Sequence, residues 1–283
     1  MKNYNDIPVN ELGLGSNIIL EVCETEHDLY WKMAIEVFEL IRDNNQNDKD
    51  TVMIVPYGPV GPYSRLVYLI KKYKLSLKRC YFISMDEYLD KEKQYLDINH
   101  PLSFRGGMDR VFYSQIPDEL NLPKDHRVFP KPGHESDIWK MIQELGGLDM
   151  CFGGVGINGH IAFNEPPEPG VSMTNEEFKN LPTRILKLAR ETKTINAFMN
   201  CGGDLDGIPE NCITVGMKEI WSARKVRMCM PRDWNAGALR KILHGPITCT
   251  VPSSLFQEHD DAKIYATSAA LESPTPEIRV YNK

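Results

Sequence analysis

The sequence predicts an α/β fold with a mainly parallel central sheet. Three observations lead there. Short apolar runs of strand length alternate with amphipathic stretches of helical period, the pattern of right-handed βαβ units. Hydrophobic residues make up 42% of the 283-residue chain and charged residues 25%, an ordinary globular balance that needs no disulfide or metal staple. Finally, several strand-like runs end in glycine or carboxylate-bearing turns, where open α/β sheets gather their ligands.

The elements follow in order. In "TEHDLYWKMAIEVFELIRDN" the apolar residues Leu29, Met33, Val37 and Ile41 recur at helical spacing, with Thr25 as cap and Asp28 in the first turn. "TVMIV" reads as a buried strand. "PYSRLVYLIKKYK" reads as a helix with Pro62 in its first turn. "RCYFISM" is a strand, "ESDIWKMIQELGG" a helix ending at Gly146, and "LDMCFGGVG" the next strand. "CITVGM", "KVRMCM" and "KIYAT" continue the strand series, with the helix-like "RDWNAGALRKILHG" between the last two. The Pro-, Asn- and Glu-rich stretch 166–182 reads as a loop or lid. Without repeats or a low-complexity linker, residues 1–283 read as a single α/β domain.

A net charge of −6 argues against nucleic acid as the main partner. No run approaches membrane-span length, and the polar start "MKNYNDIPVN" lacks the apolar core of a signal peptide. Seven cysteines without a CxxC pair read as small core hydrophobes in a reducing compartment, so a cytoplasmic protein is expected. No metal-ligand cluster is expected either.

Three strand ends carry unusual chemistry. After "TVMIV" comes "PYGPVGPYSR", either a plain turn or an anion-facing one; it matches neither dinucleotide nor P-loop spacing, and Pro59 and Pro62 remove two N–H donors. After "RCYFISM" come Asp86 and Glu87, which face a cleft or lie solvated in a loop. After "LDMCFGG" comes "VGINGHIAFNEP". Its glycines permit close approach of a ligand, and Glu165 follows His160 by five residues, suited to fix the imidazole's tautomer. Histidine and carboxylate together suit acid–base work.

Taken together, "SMDEY", "HPLSF", "GINGHIAFNEP" and "ITVGM" in this order resemble the glucosamine-6-phosphate deaminase/isomerase family, over about residues 28 to 260. The related 6-phosphogluconolactonases share the glycines but usually lack FNEP. The resemblance implies a modified Rossmann-like three-layer domain. It implies conversion of glucosamine 6-phosphate and water to fructose 6-phosphate and ammonia, by acid–base aldose–ketose isomerisation with no cofactor. It implies Asp86 as the base moving a proton between C2 and C1, His160 as the ring-opening group, Glu165 as its partner, and Asn158 as an orienting residue. The implied substrate-binding set is Tyr57, Gly58, Pro59, Val60, Gly61, Gly154 and Lys193.

The phosphate subsite departs from the family. Tyr57 and Val60 stand at hydroxyl positions, Pro59 at a glycine, Lys193 at an arginine and Asn235 at a lysine. Arg105, Lys193 and Arg232 are the substitutes at hand. Two other readings follow: the same chemistry on a different, unphosphorylated sugar, or a sugar-binding homologue without turnover. A lactonase is a weaker alternative. A DNA-binding regulator is not expected, since about 28 residues precede the first helix. Arg184 resembles an effector contact, but Leu186 stands at a second basic position. The family includes monomers and hexamers, so a homo-oligomer stays open.

Overall fold

The computed structural model describes residues 4–274; residues 1–3 of the polar start and 275–283 of the single-domain span lie outside the described residues. The chain runs β1 (Ile19–Cys23), α1 (Glu26–Gln46), β2 (Thr51–Val55), α2 (Gly61–Tyr73), β3 (Cys80–Ser84), β4 (Asp86–Leu89), α3 (Phe104–Val111), β5 (Arg127–Val128), α4 (Ser136–Glu144) and β6 (Leu148–Gly154). It continues through α5 (Asn175–Lys179), β7 (Arg184–Lys187), α6 (Arg190–Asn200), β8 (Asn211–Thr214), α7 (Met217–Trp221), β9 (Ala223–Met230), α8 (Ala236–His244), β10 (Ala262–Thr267) and α9 (Ser268–Leu271).

Seven strands form one parallel sheet in the order β1-β10-β9-β6-β2-β3-β5. Strand periodicity makes it the middle of three layers. Val52 and Ile54 of β2 point to one face, where Ile138, Ile142, Leu239 and Ile242 of α4 and α8 cover them. Met53 and Val55 point to the other, under Leu29, Met33, Leu66 and Ile70 of α1 and α2. Burying each such aliphatic side chain contributes about 1.5–3 kcal/mol. The chain winds outward from β2 through β3 to β5, then returns to β6 and winds the other way through β9 and β10. The switch between β2 and β6 opens a crevice at their carboxyl ends.

Several elements follow the sequence reading and several do not. Thr25 caps α1, its side chain accepting from the Asp28 N–H while the Asp28 carboxylate reaches back to the Thr25 N–H. By contrast, "CITVGM" does not join the parallel sheet. It forms β8, the middle of a small antiparallel sheet β4-β8-β7. The "SMDEY" run likewise breaks: β3 stops at Ser84, and Asp86 opens β4 in the second sheet. Strand β1, unread in the sequence, is an edge strand with Ile19 and Val22 exposed, so it lacks the fully apolar signature of its inner neighbours. Helix α4 ends at Glu144, and Gly146 turns the chain beyond it at φ +80°. The 166–182 stretch is not loop throughout: Thr174 caps the short α5, which buries Phe178.

All seven cysteines are free; Cys201 is half-buried and the other six are buried. Among the described residues no helix is long and apolar enough to cross a membrane, and no group of three metal-ligating side chains comes together.

Candidate active site

A cleft of about 540 Å³ lies over the β2/β6 switch point. Its lining comes from the carboxyl ends of four sheet strands: Pro56–Val60 after β2, Met85 and Asp86 after β3, Gly154–Ile157 and His160 after β6, and Pro231 and Arg232 after β9. Helix α6 adds Thr192, Ile195, Asn196 and Met199.

Asp86 is 8% exposed. Burial pushes its carboxyl up to about 8, and the neighbouring Glu87 adds to the shift. Alternation along β4 sends Glu87 the other way. Its side chain has no exposure and accepts the N–H groups of Tyr88, Phe104 and Arg105 at 2.8–2.9 Å. Glu87 is therefore neither solvated nor cleft-facing. It sits at the α3 N-terminus, with the Arg105 guanidinium 3.5 Å away.

His160 is held from behind. Its Nδ1 lies 2.7 Å from Asn158 Oδ1 and 3.1 Å from Glu165 Oε2. Asn158 Nδ2 donates to Glu165 Oε2 at 2.7 Å, which fixes the amide so that Oδ1 faces the imidazole. Two acceptors at Nδ1 put the ring proton there and leave the Nε2 lone pair for a ligand. Thr192 Oγ1 donates to Glu165 Oε1 and lies 3.4 Å from His160 Nδ1. Burial raises the Glu165 pKa, but the field of His160 and the hydrogen bonds from His160, Thr192 and Asn158 outweigh it and leave the group below its ordinary value. The glycines make room: a Cβ at Gly156 would lie 1.9 Å from His160 Cε1, and Gly159 turns at φ +85°.

The structure thus brings Asp86 and His160 to one cleft, with Asn158 and Glu165 behind the histidine. It also brings Tyr57, Gly58, Pro59, Val60 and Gly154 to the lining. Two expected residues are absent from it. Gly61 opens α2, and a Cβ there would strike the Tyr30 ring at 2.1 Å, so packing requires glycine at this position. Lys193 faces out of the cleft, its Nζ 4.0 Å from Glu210 Oε1. The helical period explains this: Thr192, Ile195, Asn196 and Met199 share the cleft face of α6, and Lys193 is turned about 100° from Thr192.

The other cationic positions sort similarly. Arg105 is spent on Glu87, the Leu96 carbonyl and the Tyr95 ring. Asn235 is buried, donating to the Val155 carbonyl and accepting the Arg232 N–H. Arg232 lines the cleft. Arg184 donates to Asn164 Oδ1 at 2.8 Å, bracing the 160–165 loop. Sequence reasoning missed Thr192 and Tyr88, whose hydroxyl accepts from Asn196 at 2.8 Å on the cleft wall. The i, i+3, i+4, i+7 pattern from Thr192 was the available signal for the first.

The chain is similar to a glucosamine-6-phosphate deaminase of Porphyromonas gingivalis, 31% identical over 259 residues that cover 88% of this chain and 91% of the relative. Glucosamine-6-phosphate deaminase 2 of Bacillus subtilis is 28% identical over 240 residues, covering 82% and 90%. Among solved structures, a monomeric glucosamine-6-phosphate deaminase superposes with a TM-score of 0.77 at 24% identity, covering 89% of this chain and 98% of that one. A 6-phosphogluconolactonase from Trypanosoma brucei reaches 0.65 at 15% identity, covering 91% and 99%. No family model matches the chain.

Proposed function

Because the chain belongs to the glucosamine-6-phosphate deaminase family, we propose that it converts glucosamine 6-phosphate and water to fructose 6-phosphate and ammonia. The observation that carries this reading is that Asp86 and the braced His160 line one cleft of about 540 Å³, a size suited to a single small ligand.

In this mechanism the Nε2 lone pair of His160 takes the proton of the anomeric hydroxyl and returns it to the ring oxygen, opening the sugar. The Glu165–Asn158 bracket steadies the imidazole while it carries the extra proton. In its ionised form, increasingly populated as pH rises toward about 8, the Asp86 carboxylate then takes the proton from C2 as O1 accepts one from solvent, and delivers its own proton to C1. This leaves a C2 iminium, to which water adds; ammonia departs and the C2 ketone remains. Burial serves the base, because a carboxylate with its pKa near 8 holds a carbon-derived proton more strongly than a solvated one.

A second reading, the same chemistry on an unphosphorylated amino sugar, is favoured by one observation. Among the described residues lining the cleft, Arg232 is the one lysine or arginine.

Coupled assays for ammonia and ketose test the reading. Asp86→Asn is expected to lower kcat by roughly 10³-fold or more while sugar binding stays within a few-fold. Normal turnover by that variant removes Asp86 as the base. Sugar binding without product in the wild type points to a non-catalytic homologue.

A further inference from the structure

This inference rests on the phosphorylated-sugar reading and asks what holds the phosphate. Near the β2 turn prolines reduce the backbone donors that could face an anion. Pro56 and Pro59 have no N–H. In the first turn of α2, Pro62 has none either, and the Tyr63 N–H is taken by the Val60 carbonyl at 3.1 Å. Val60 stands at the N-cap with no side-chain hydrogen bond to give. Tyr57, Val60, Ile195, Met199 and Trp234 add apolar surface to the cleft lining.

Arg232 does not lie idle there. Its Nη2 is 3.0 Å from Glu26 Oε1, and its Nη1 donates to Glu26 Oε2 at 3.4 Å. The pair is half open to solvent, with side-chain exposures of 45% and 35%, so it can be exchanged at little desolvation cost. Glu26 has other support: it accepts the Tyr30 hydroxyl at 2.6 Å and lies in the first turn of α1, where the helix dipole favours a carboxylate. It is therefore not orphaned when the guanidinium leaves.

We propose that Arg232 recognises the substrate's phosphate and that Glu26 competes with the phosphate for it, so that the Glu26–Arg232 pair sets selectivity for phosphorylated over free amino sugar. A guanidinium matches two phosphate oxygens with parallel N–H donors, and it presents the same fork to Glu26. With a single such group in the lining, discrimination depends on it strongly.

Calorimetric binding of glucosamine 6-phosphate and of glucosamine gives the affinity ratio that tests this, alongside kcat/KM for both. The wild type is expected to prefer the phosphorylated sugar at least ten-fold. Arg232→Met should bring the ratio down to near one, and Arg232→Lys should lower it by less, since it keeps charge without the fork. Glu26→Gln should raise the ratio at least three-fold by freeing Arg232. A wild-type ratio near one, or a ratio unmoved by Arg232→Met, overturns the proposal. If Arg232→Met does not fold, the Glu26→Gln ratio decides, and no rise overturns it. Binding preference intact without ammonia release overturns the deaminase reading and leaves this one standing.

Discussion

Asp86 should make the folded protein lose stability as pH rises. In the unfolded chain its carboxyl titrates at about 3.8, and in the cleft burial and Glu87 carry it to about 8. The folded state therefore binds the proton more tightly. The contribution favours folding below the unfolded value, and it is lost progressively as pH rises from about 4 through about 8. Between pH 5 and 7 the unfolded group is ionised and the folded one is protonated, a difference of about one proton. The slope is then roughly 1.4 kcal/mol per pH unit, or about 2.7 kcal/mol across that interval. Asp86→Asn removes the titration, while any change in local hydrogen bonding that it causes is the same at every pH. Urea unfolding of both proteins at half-unit steps from pH 5 to 8.5 yields a double difference that isolates the proton. The variant should gain on the wild type by about 2–3 kcal/mol between pH 5 and 7, flattening above 8. A difference that does not vary with pH would refute the claim that the cleft holds this carboxyl in a dry, charge-averse environment. The proposed base would then have no raised pKa to exploit.

Two substitutions behind the histidine complete the set. Glu165→Gln removes the charge and one of the two acceptor oxygens behind the imidazole, and kcat should fall by roughly 10–100-fold with KM little changed. Because the folded pKa of Glu165 is depressed, its stabilisation is present above its unfolded value of 4.5. The stability gap between wild type and Glu165→Gln should therefore shrink as pH drops below about 4.5; a gap that widens there contradicts the His160–Glu165 attraction. Gly156→Ala puts a methyl 1.9 Å from the His160 ring, so kcat/KM should fall by roughly 10²-fold with the fold retained by circular dichroism. Wild-type rates would mean the imidazole need not lie against that backbone.

The layered frame was legible because local signals agreed with one another. The Thr25–Asp28 cap, the period of Leu29 to Ile41, and apolar runs such as "TVMIV" all belong to elements buried by the large sheet. The small sheet was not legible. Its strands are four residues each, too short for periodicity to separate them from turns, and "CITVGM" carries no mark of which sheet it joins. In the site, His160 and its glycines stood out because a glycine-rich turn after a buried strand has few structural explanations. Lys193 was expected from the resemblance, at a position where the family carries arginine, and the turn of α6 places it off the face that lines the cleft. Glu87 was undervalued for the opposite reason: paired carboxylates look alike in sequence, and only strand alternation divides them into one facing the cleft and one anchoring α3.

That small sheet is what relates the two halves of the proposed acid–base pair. Asp86 and His160 follow different strands and are 74 positions apart, so the parallel sheet alone sets their spacing only loosely. Strand β8 tightens it. Asp86 pairs with Thr214 in the antiparallel ladder, and the Val215 N–H donates to the Met85 carbonyl at 2.8 Å. The same two residues hold the histidine loop: Thr214 Oγ1 accepts the Phe163 N–H at 3.1 Å, and the Val215 carbonyl accepts Asn164 Nδ2 at 3.0 Å. Thr214 and Asn164 have no exposure, so water does not compete for these bonds. The end of β8 is thus a common reference for both groups. Catalytic geometry is sensitive to displacements of about an ångström. It follows that the antiparallel sheet, the part of the fold least visible in the sequence, fixes the relation on which the proposed chemistry depends.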